Sequence, residues 1–149
     1  MPLHVALLEP RTPDVGGNLA RRCAERDASL HLVAPQYAAD DPAFRDPGPA
    51  DWHALDWWVH PTWRDFRDAI SRERCLYFSA DAGRDPAEAP FRGNSVLVFG
   101  NEDFSLPERI AEKYPDRIFM LPRGAKRRRR DPAAAIDATV AFAAERVAG

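Results

Sequence analysis

Four consecutive apolar residues, Val96 to Phe99, stop at Gly100, and Asn101-Glu102-Asp103 follow. An unbroken apolar run of this length marks a strand buried on both faces. Such strands belong to parallel sheets covered by helices on either side. This stretch restricts the chain to α/β architectures more than any other. Gly100 has no Cβ, so backbone or a ligand can approach it closely. Leu106-Pro107-Glu108 then restarts the chain as a helix, with proline near the first turn and glutamate after it. Ligands of open α/β sheets sit just outside the carboxyl ends of strands. The turn after Phe99 therefore reads either as the floor of a binding site or as a tight βα connection with no ligand.

The flanking sequence repeats the alternation. Leu3–Leu8 is a short apolar strand stopped by Glu9-Pro10, and Arg11–Asn18 reads as a turn-rich loop. A helix is expected from about Gly17, with Leu19, Ala20, Cys23 and Ala24 on its apolar face. Ser29–Ala34 is a second strand, which completes a right-handed β-α-β unit. Gln36–Ala50 has no period and reads as a long surface loop with one helical turn. Loops of this length are commonly functional. Leu55–Val59 is expected to be a strand, Trp63–Ser71 a helix capped by Thr62, and Cys75–Ser79 a strand. Ala80–Gly93 is a loop. After the central strand come a helix over Leu106–Tyr114, a strand over Arg117–Leu121 and a basic loop over Pro122–Arg130. Pro132–Val147 closes the chain as an alanine-rich helix with Asp131 as its N-cap. The fold class is α/β, with a mainly parallel sheet flanked by helices, in one domain over residues 1–149.

Composition narrows the functional classes. The formal charge is −2 and the hydrophobic share 45%, so the molecule is a soluble globule rather than a polycation. No apolar run approaches the roughly 20 residues that span a bilayer, and the amino terminus lacks a signal-peptide pattern. No membrane is expected, and a cytoplasmic location follows. Cys23 and Cys75 are too few for a disulfide framework or a zinc site and read as buried thiols. His4, His31, His53 and His60 show no metal spacing, so no metal is expected. His4 and His31 fall in strands, as core or rim residues.

Two stretches carry charge in a suggestive pattern. In Gly16-Gly17-Asn18-Leu19-Ala20-Arg21, glycines at a helix start and an arginine in its first turn suit a phosphate or a ribose hydroxyl. A capped helix with a solvated arginine fits the same residues. In Arg123–Arg130, six of eight residues are cationic and none is acidic. A run this dense repels itself, and nucleic acid is the favoured partner over mere solvation. Glu102 and Asp103 are candidates for acid/base work, although no partner carboxylate is set by spacing.

Taken together, EPRTPDVGGNLARRCA, LVFGNEDFSLP and FMLPRGAKRRRR before a terminal helix resemble the SpoU (TrmH-like) branch of the SPOUT RNA methyltransferases. Within it, the chain is similar to the small single-domain members that methylate the ribose 2′-hydroxyl of the tRNA wobble nucleotide. The resemblance implies a carboxyl-terminal trefoil knot, a homodimer with the active site at the subunit interface, S-adenosylmethionine as cofactor, and RNA, tRNA in particular, as partner. It implies a catalytic Arg21 that activates the ribose hydroxyl and an Asn18 that shapes the site. Gly100, Glu102 and Leu106 fall in its second motif. Leu121 stands at the start of the next cofactor loop, and Ser79 ends the strand leading into the first. Arg129 is placed with these as cofactor-binding, and Lys126, Arg127, Arg128 and Arg130 as RNA-binding.

The chain departs from the family pattern at several positions. Val15 stands where an asparagine is usual, Ser105 where a glycine is usual, and Ala141 where a tyrosine is common. Arg129-Arg130-Asp131-Pro132-Ala133-Ala134-Ala135 replaces a third motif rich in serine and asparagine. The alternative function is therefore a catalytically impaired knotted RNA-binding dimer that lacks methyl transfer.

Overall fold

The structure is a computed structural model and describes residues 2–148. Strands β1 (His4–Leu8), β2 (Ser29–Val33), β3 (Trp57–His60), β4 (Cys75–Ser79), β5 (Val96–Phe99) and β6 (Ile118–Met120) form one sheet in the order β3-β2-β1-β5-β4-β6. Every pairing is parallel, with His4 opposite Ser29 and Val96, and Cys75 opposite Val96. Every residue of β2, β4 and β5 is buried, as continuous apolar runs require in a sheet covered on both faces.

Helices α1 (Pro13–Arg26), α2 (Pro42–Arg45), α5 (Arg123–Lys126) and α6 (Pro132–Ala148) cover one face. Leu19, Ala20 and Cys23 of α1 and Ile136, Val140 and Ala143 of α6 share a core there with Val5, Leu7, Leu32 and Phe99. Helices α3 (Trp63–Ala69) and α4 (Glu108–Lys113) cover the other face. Phe66 and Ile110 pack there against Ala6, Val33, Tyr77 and Val98. The connection from β1 leads to α1 on the first face, and that from the adjacent β5 leads to α4 on the second. The carboxyl ends of β1 and β5 are therefore the topological switch point of the sheet.

The structure corrects the expected start of α1. The helix begins at Pro13, so Pro13–Gly17 is helical rather than looped. Proline suits the first helical position, where an N–H would be unpaired, and Asp14 suits the positive end. Gly16 and Gly17 serve packing rather than bending. A Cβ at Gly17 would lie 2.2 Å from the Phe44 carbonyl oxygen, and one at Gly16 would lie 2.2 Å from the Tyr37 hydroxyl. The long loop thus clamps directly onto the helix backbone. Its single helical turn is α2, capped by Asp41. Strand β3 lies later than expected, because Asp51 caps a 3-10 turn over Trp52–Ala54 before Leu55 drops into the core. Helix α3 stops at Ala69, behind a capping box between Thr62 and Asp65. Helix α4 spans Glu108–Lys113 only, with Pro107 at its N-cap. The basic segment, expected as a loop, opens with the helical turn α5.

His4, His31 and His60 stack across β1, β2 and β3. His4 Nδ1 lies 2.8 Å from His31 Nε2, and His31 Nδ1 lies 2.9 Å from His60 Nε2. Trp58 covers His31 at 4.8 Å between ring centroids, and Phe66 meets it edge-on. Burial is the main cause that lowers all three imidazole pKa values, to about 4 for His4 and about 3 for His31.

Candidate active site

Three loops leave the carboxyl ends of β4, β5 and β6 and are tied to one another through backbone. The Leu121 N–H donates to the Ser79 carbonyl at 3.2 Å, and the Ala80 N–H donates to the Phe104 carbonyl at 3.2 Å. The β5 loop folds back so closely that a Cβ at Gly100 would sit 1.9 Å from the Ser105 carbonyl oxygen, so glycine is required there. Phe104 is held at φ +58°, a conformation costly for a bulky residue, by a fully buried ring. Leu121 is also fully buried, Ser79 nearly so, and the Ser79 hydroxyl accepts from the Asp81 N–H at 3.2 Å. Ser79, Gly100 and Leu121 therefore form the base beneath the loops. Leu106 packs into the second core.

Glu102 joins the β5 loop to α1. Its carboxylate accepts from the Arg11 N–H at 2.8 Å and from the Thr12 N–H at 2.7 Å. Thr12 is the N-cap of α1 and makes no side-chain cap bond of its own. Glu102 instead anchors the two residues just before the helix and sets a negative charge near its positive end. The neighbouring Asp103 pairs with the Arg11 guanidinium. The Tyr37 hydroxyl, buried against Gly16, has no hydrogen-bond partner among the described residues. Burial, and next the Glu102 charge, push its pKa up, so the phenol stays neutral.

Above these loops lies an open hollow of about 710 Å³, lined by Glu102, Asp103 and Ser105 of the β5 loop and by Lys126, Arg127, Arg129 and Arg130 of the basic segment. Arg129 also reaches Asp81 at 3.6 Å, so it connects the β4 loop to the basic turn. Arg128 points elsewhere, donating to the Gly124 carbonyl at 2.8 Å, and does not line the hollow. Asp131 accepts from the Ala134 N–H at 3.3 Å as the cap of α6. Pro132 follows at the first helical position, where its missing donor costs nothing.

Asn18 and Arg21 lie outside the walls of this hollow. Asn18 Oδ1 accepts from Arg21 Nη2 and from Arg22 Nε, each at 3.0 Å. Arg21 is otherwise exposed, and the one carboxylate within 4.0 Å of it among the described residues is Glu25, at 3.9 Å. Arg22 and Arg26 turn to Asp137 of α6. The structure thus gathers Glu102, Lys126, Arg127, Arg129 and Arg130 around one space, places Asn18 beside Arg21 on an exposed helix face, and leaves Arg128 apart. Sequence reading missed Arg11 and Asp81. For Asp81, its place just beyond a buried strand was the available signal. For Arg11, whose partner is 92 positions away, there was none.

Comparison with known proteins agrees with this geometry. The model of the SpoU rRNA Methylase family matches residues 2–126. A tRNA (cytidine(34)-2′-O)-methyltransferase of Acidovorax sp. strain JS42 is 32% identical over 129 residues, covering 80% of this chain and 78% of the relative. The Escherichia coli K12 protein of the same name is 29% identical over 126 residues, 80% of each chain. A solved structure reported for the 2-OH methylation of C/U34 on tRNA superposes with a TM-score of 0.80 at 28% identity, over 98% of this chain and 95% of that one. The SpoU methyltransferase AviRb from Streptomyces viridochromogenes, solved with AdoMet, shares the fold at a TM-score of 0.73 and 18% identity, over 99% of this chain and 62% of that one.

Proposed function

Because this chain belongs to the SpoU rRNA methylase family, we propose that it methylates the ribose 2′-hydroxyl of the wobble nucleotide of tRNA, with S-adenosylmethionine as donor. The observation that carries the reading is the hollow over the β5 loop and the segment after β6, lined by two carboxylates and by a dense cationic turn. Relatives of similar length bear the same activity in their names. A cytoplasmic location goes with this reading.

The residues present fit the donor in size and charge. A hollow of about 710 Å³ is large enough for a nucleoside carrying an amino acid. Walls of both signs suit a molecule with an ammonium and a carboxylate. When bound, the donor supplies an electrophilic methyl on a sulfonium, chemistry that needs no metal. Gly100, Glu102, Leu106, Leu121 and Ser79 shape the loops that hold it, through backbone, and Arg129 faces its charged end. Lys126, Arg127 and Arg130 hold phosphates of the RNA, with Arg128 in the outer approach. Arg21 acts by orienting the 2′-hydroxyl and stabilising the oxyanion that forms as the hydroxyl proton passes to solvent water. Asn18 holds the Arg21 fork in place. Arg21 is exposed and outside the hollow of its own chain. This supports a homodimer in which α1 of one copy faces the hollow of the other; a carboxyl-terminal segment threaded as a trefoil knot goes with membership of the family.

One feature favours a second reading, a dimer that binds RNA without methyl transfer. The Asp81–Arg129 pair crosses the region where the family pattern has serine and asparagine. Isothermal titration with S-adenosylhomocysteine separates the two. Saturable binding, followed by tritium transfer from labelled donor into tRNA that is lost in Arg21→Ala with donor binding retained, supports the enzyme. No heat at high micromolar ligand favours the binding dimer. For the basic turn, Arg127→Ala with Arg130→Ala is expected to lower the slope of log affinity against log salt by about 0.7–0.9 per lost phosphate contact.

A further inference from the structure

At the amino-terminal end of the sheet, remote from the loops just described, Arg74, Arg92 and Arg117 converge on a second hollow of about 450 Å³. Arg74 precedes β4, Arg92 precedes β5 and Arg117 precedes β6, so three neighbouring parallel strands deliver them to one rim. Two of the side chains are locked by backbone. Arg74 Nε donates to the Asn94 carbonyl at 2.9 Å. Arg117 donates from Nε to the Cys75 carbonyl and from Nη2 to the Glu73 carbonyl, both at 2.9 Å. These bonds leave both terminal nitrogens of Arg74 and one of Arg117 uncommitted among the described residues. None of the three arginines has a carboxylate within 4.0 Å among the described residues. The acidic group of the hollow, Glu73, accepts from the Ser71 hydroxyl instead.

Three unpaired guanidiniums at one hollow repel each other, and an anion relieves that repulsion. Planar forks held in fixed orientation match phosphate oxygens better than they match water. We propose that this hollow is a phosphate-binding site, filled by a backbone phosphate of bound RNA away from the methylated nucleotide. Glu73 offsets one of the three positive charges, which suits a singly charged phosphodiester better than a free polyphosphate. The five residues of β4, at about 3.3 Å each, set roughly 17 Å between this end of the sheet and the end that carries the basic turn. A folded RNA spans that gap, and a mononucleotide does not. The choice of RNA rests on the function proposed above, while the phosphate chemistry rests on the arginines alone.

The test uses the full chain and the Arg92→Glu variant, whose side chain makes no hydrogen bond among the described residues. Arg64→Glu, on the exposed side of α3, controls for net charge. Arg92→Glu is expected to weaken binding of a tRNA transcript about five- to tenfold and to lower the salt slope by about 0.7–0.9, well beyond Arg64→Glu. The melting temperature and S-adenosylhomocysteine affinity stay unchanged. Arg117→Lys, which keeps the charge and loses the fork, is expected to weaken RNA binding by a smaller factor. Equal effects of Arg92→Glu and Arg64→Glu overturn the proposal. In a second arm, inorganic phosphate is titrated while the arginine Nε resonances are followed. Shifts lost in Arg92→Glu, with RNA affinity untouched by that variant, overturn the RNA assignment in favour of a free phosphate ligand. If the wild-type chain binds no tRNA, the function proposed above fails separately, and the phosphate titration alone decides the hollow: saturable shifts support it, and none overturns it.

Discussion

A single methyl group added at position 17 would meet the Phe44 carbonyl oxygen at 2.2 Å. Alanine normally gains about 1 kcal/mol over glycine inside a helix. Here backbone stands in the way, and overpacking of that kind costs about 1–3 kcal/mol or more. Gly17→Ala is therefore expected to lower the urea midpoint, and a raised midpoint would show that the loop yields to the helix. Glu102 works at the same scale. Its carboxylate holds two N–H groups at the start of α1, and Glu102→Gln replaces charged bonds by a weaker neutral one. A loss of about 1–2 kcal/mol is expected, read as a lower melting temperature without bound ligand. An unchanged melting point would assign Glu102 to ligand binding alone.

Among elements, the histidine stack across β1, β2 and β3 sets a pH dependence. Two links between rings hold two protons, and a neutral ladder carries its third at one end. One further proton fits at the free end; a second would force two N–H groups to face each other. Arg74 lowers the pKa of His4, whereas Asp56 raises that of His4 and Asp65 that of His60, but burial outweighs both carboxylates. The native imidazoles thus stay neutral well below their ordinary value of 6.5. The unfolded chain takes up protons first, so stability is full above about pH 6.5 and falls as pH drops toward about 4. Denaturant titrations across that window are expected to show a loss of about 1–2 kcal/mol, allowing for solvent at the half-exposed His4 end. A His4→Asn variant is expected to show a shallower decline, and a slope equal to wild type would remove His4 from the account.

For the molecule as a whole, the two thiols report on global opening. Cys23 lies between α1 and the sheet, Cys75 in β4 beneath the second face, and both are buried. Burial pushes their pKa values up, to about 12 and about 11, so neither presents a thiolate at neutral pH. Iodoacetamide is expected to label neither thiol in the native protein and both in denaturant. Native labelling of Cys23 at a rate above global unfolding would reveal local separation of α1 from the sheet. Asp137, which joins α6 to Arg22 and Arg26 of α1, opposes that separation.

Local patterns determined the element types. The spans Cys75–Ser79 and Val96–Phe99, the Thr62 and Asp131 caps and the six-cation run were legible because each depends on residues adjacent in the chain. Motif resemblance extended that reading to the family. Tertiary structure decided the rest, because the forces involved act between residues far apart in sequence. The early start of α1 rests on Glu102, about 90 positions downstream, and its glycines answer to a loop that closes over them. The split of the basic run, with Arg129 toward Asp81 and Arg128 back onto Gly124, follows from which partner each guanidinium reaches in space. The sheet order that puts Arg74, Arg92 and Arg117 on one rim is likewise a matter of which strands lie side by side, and spacing along the chain carries no record of it.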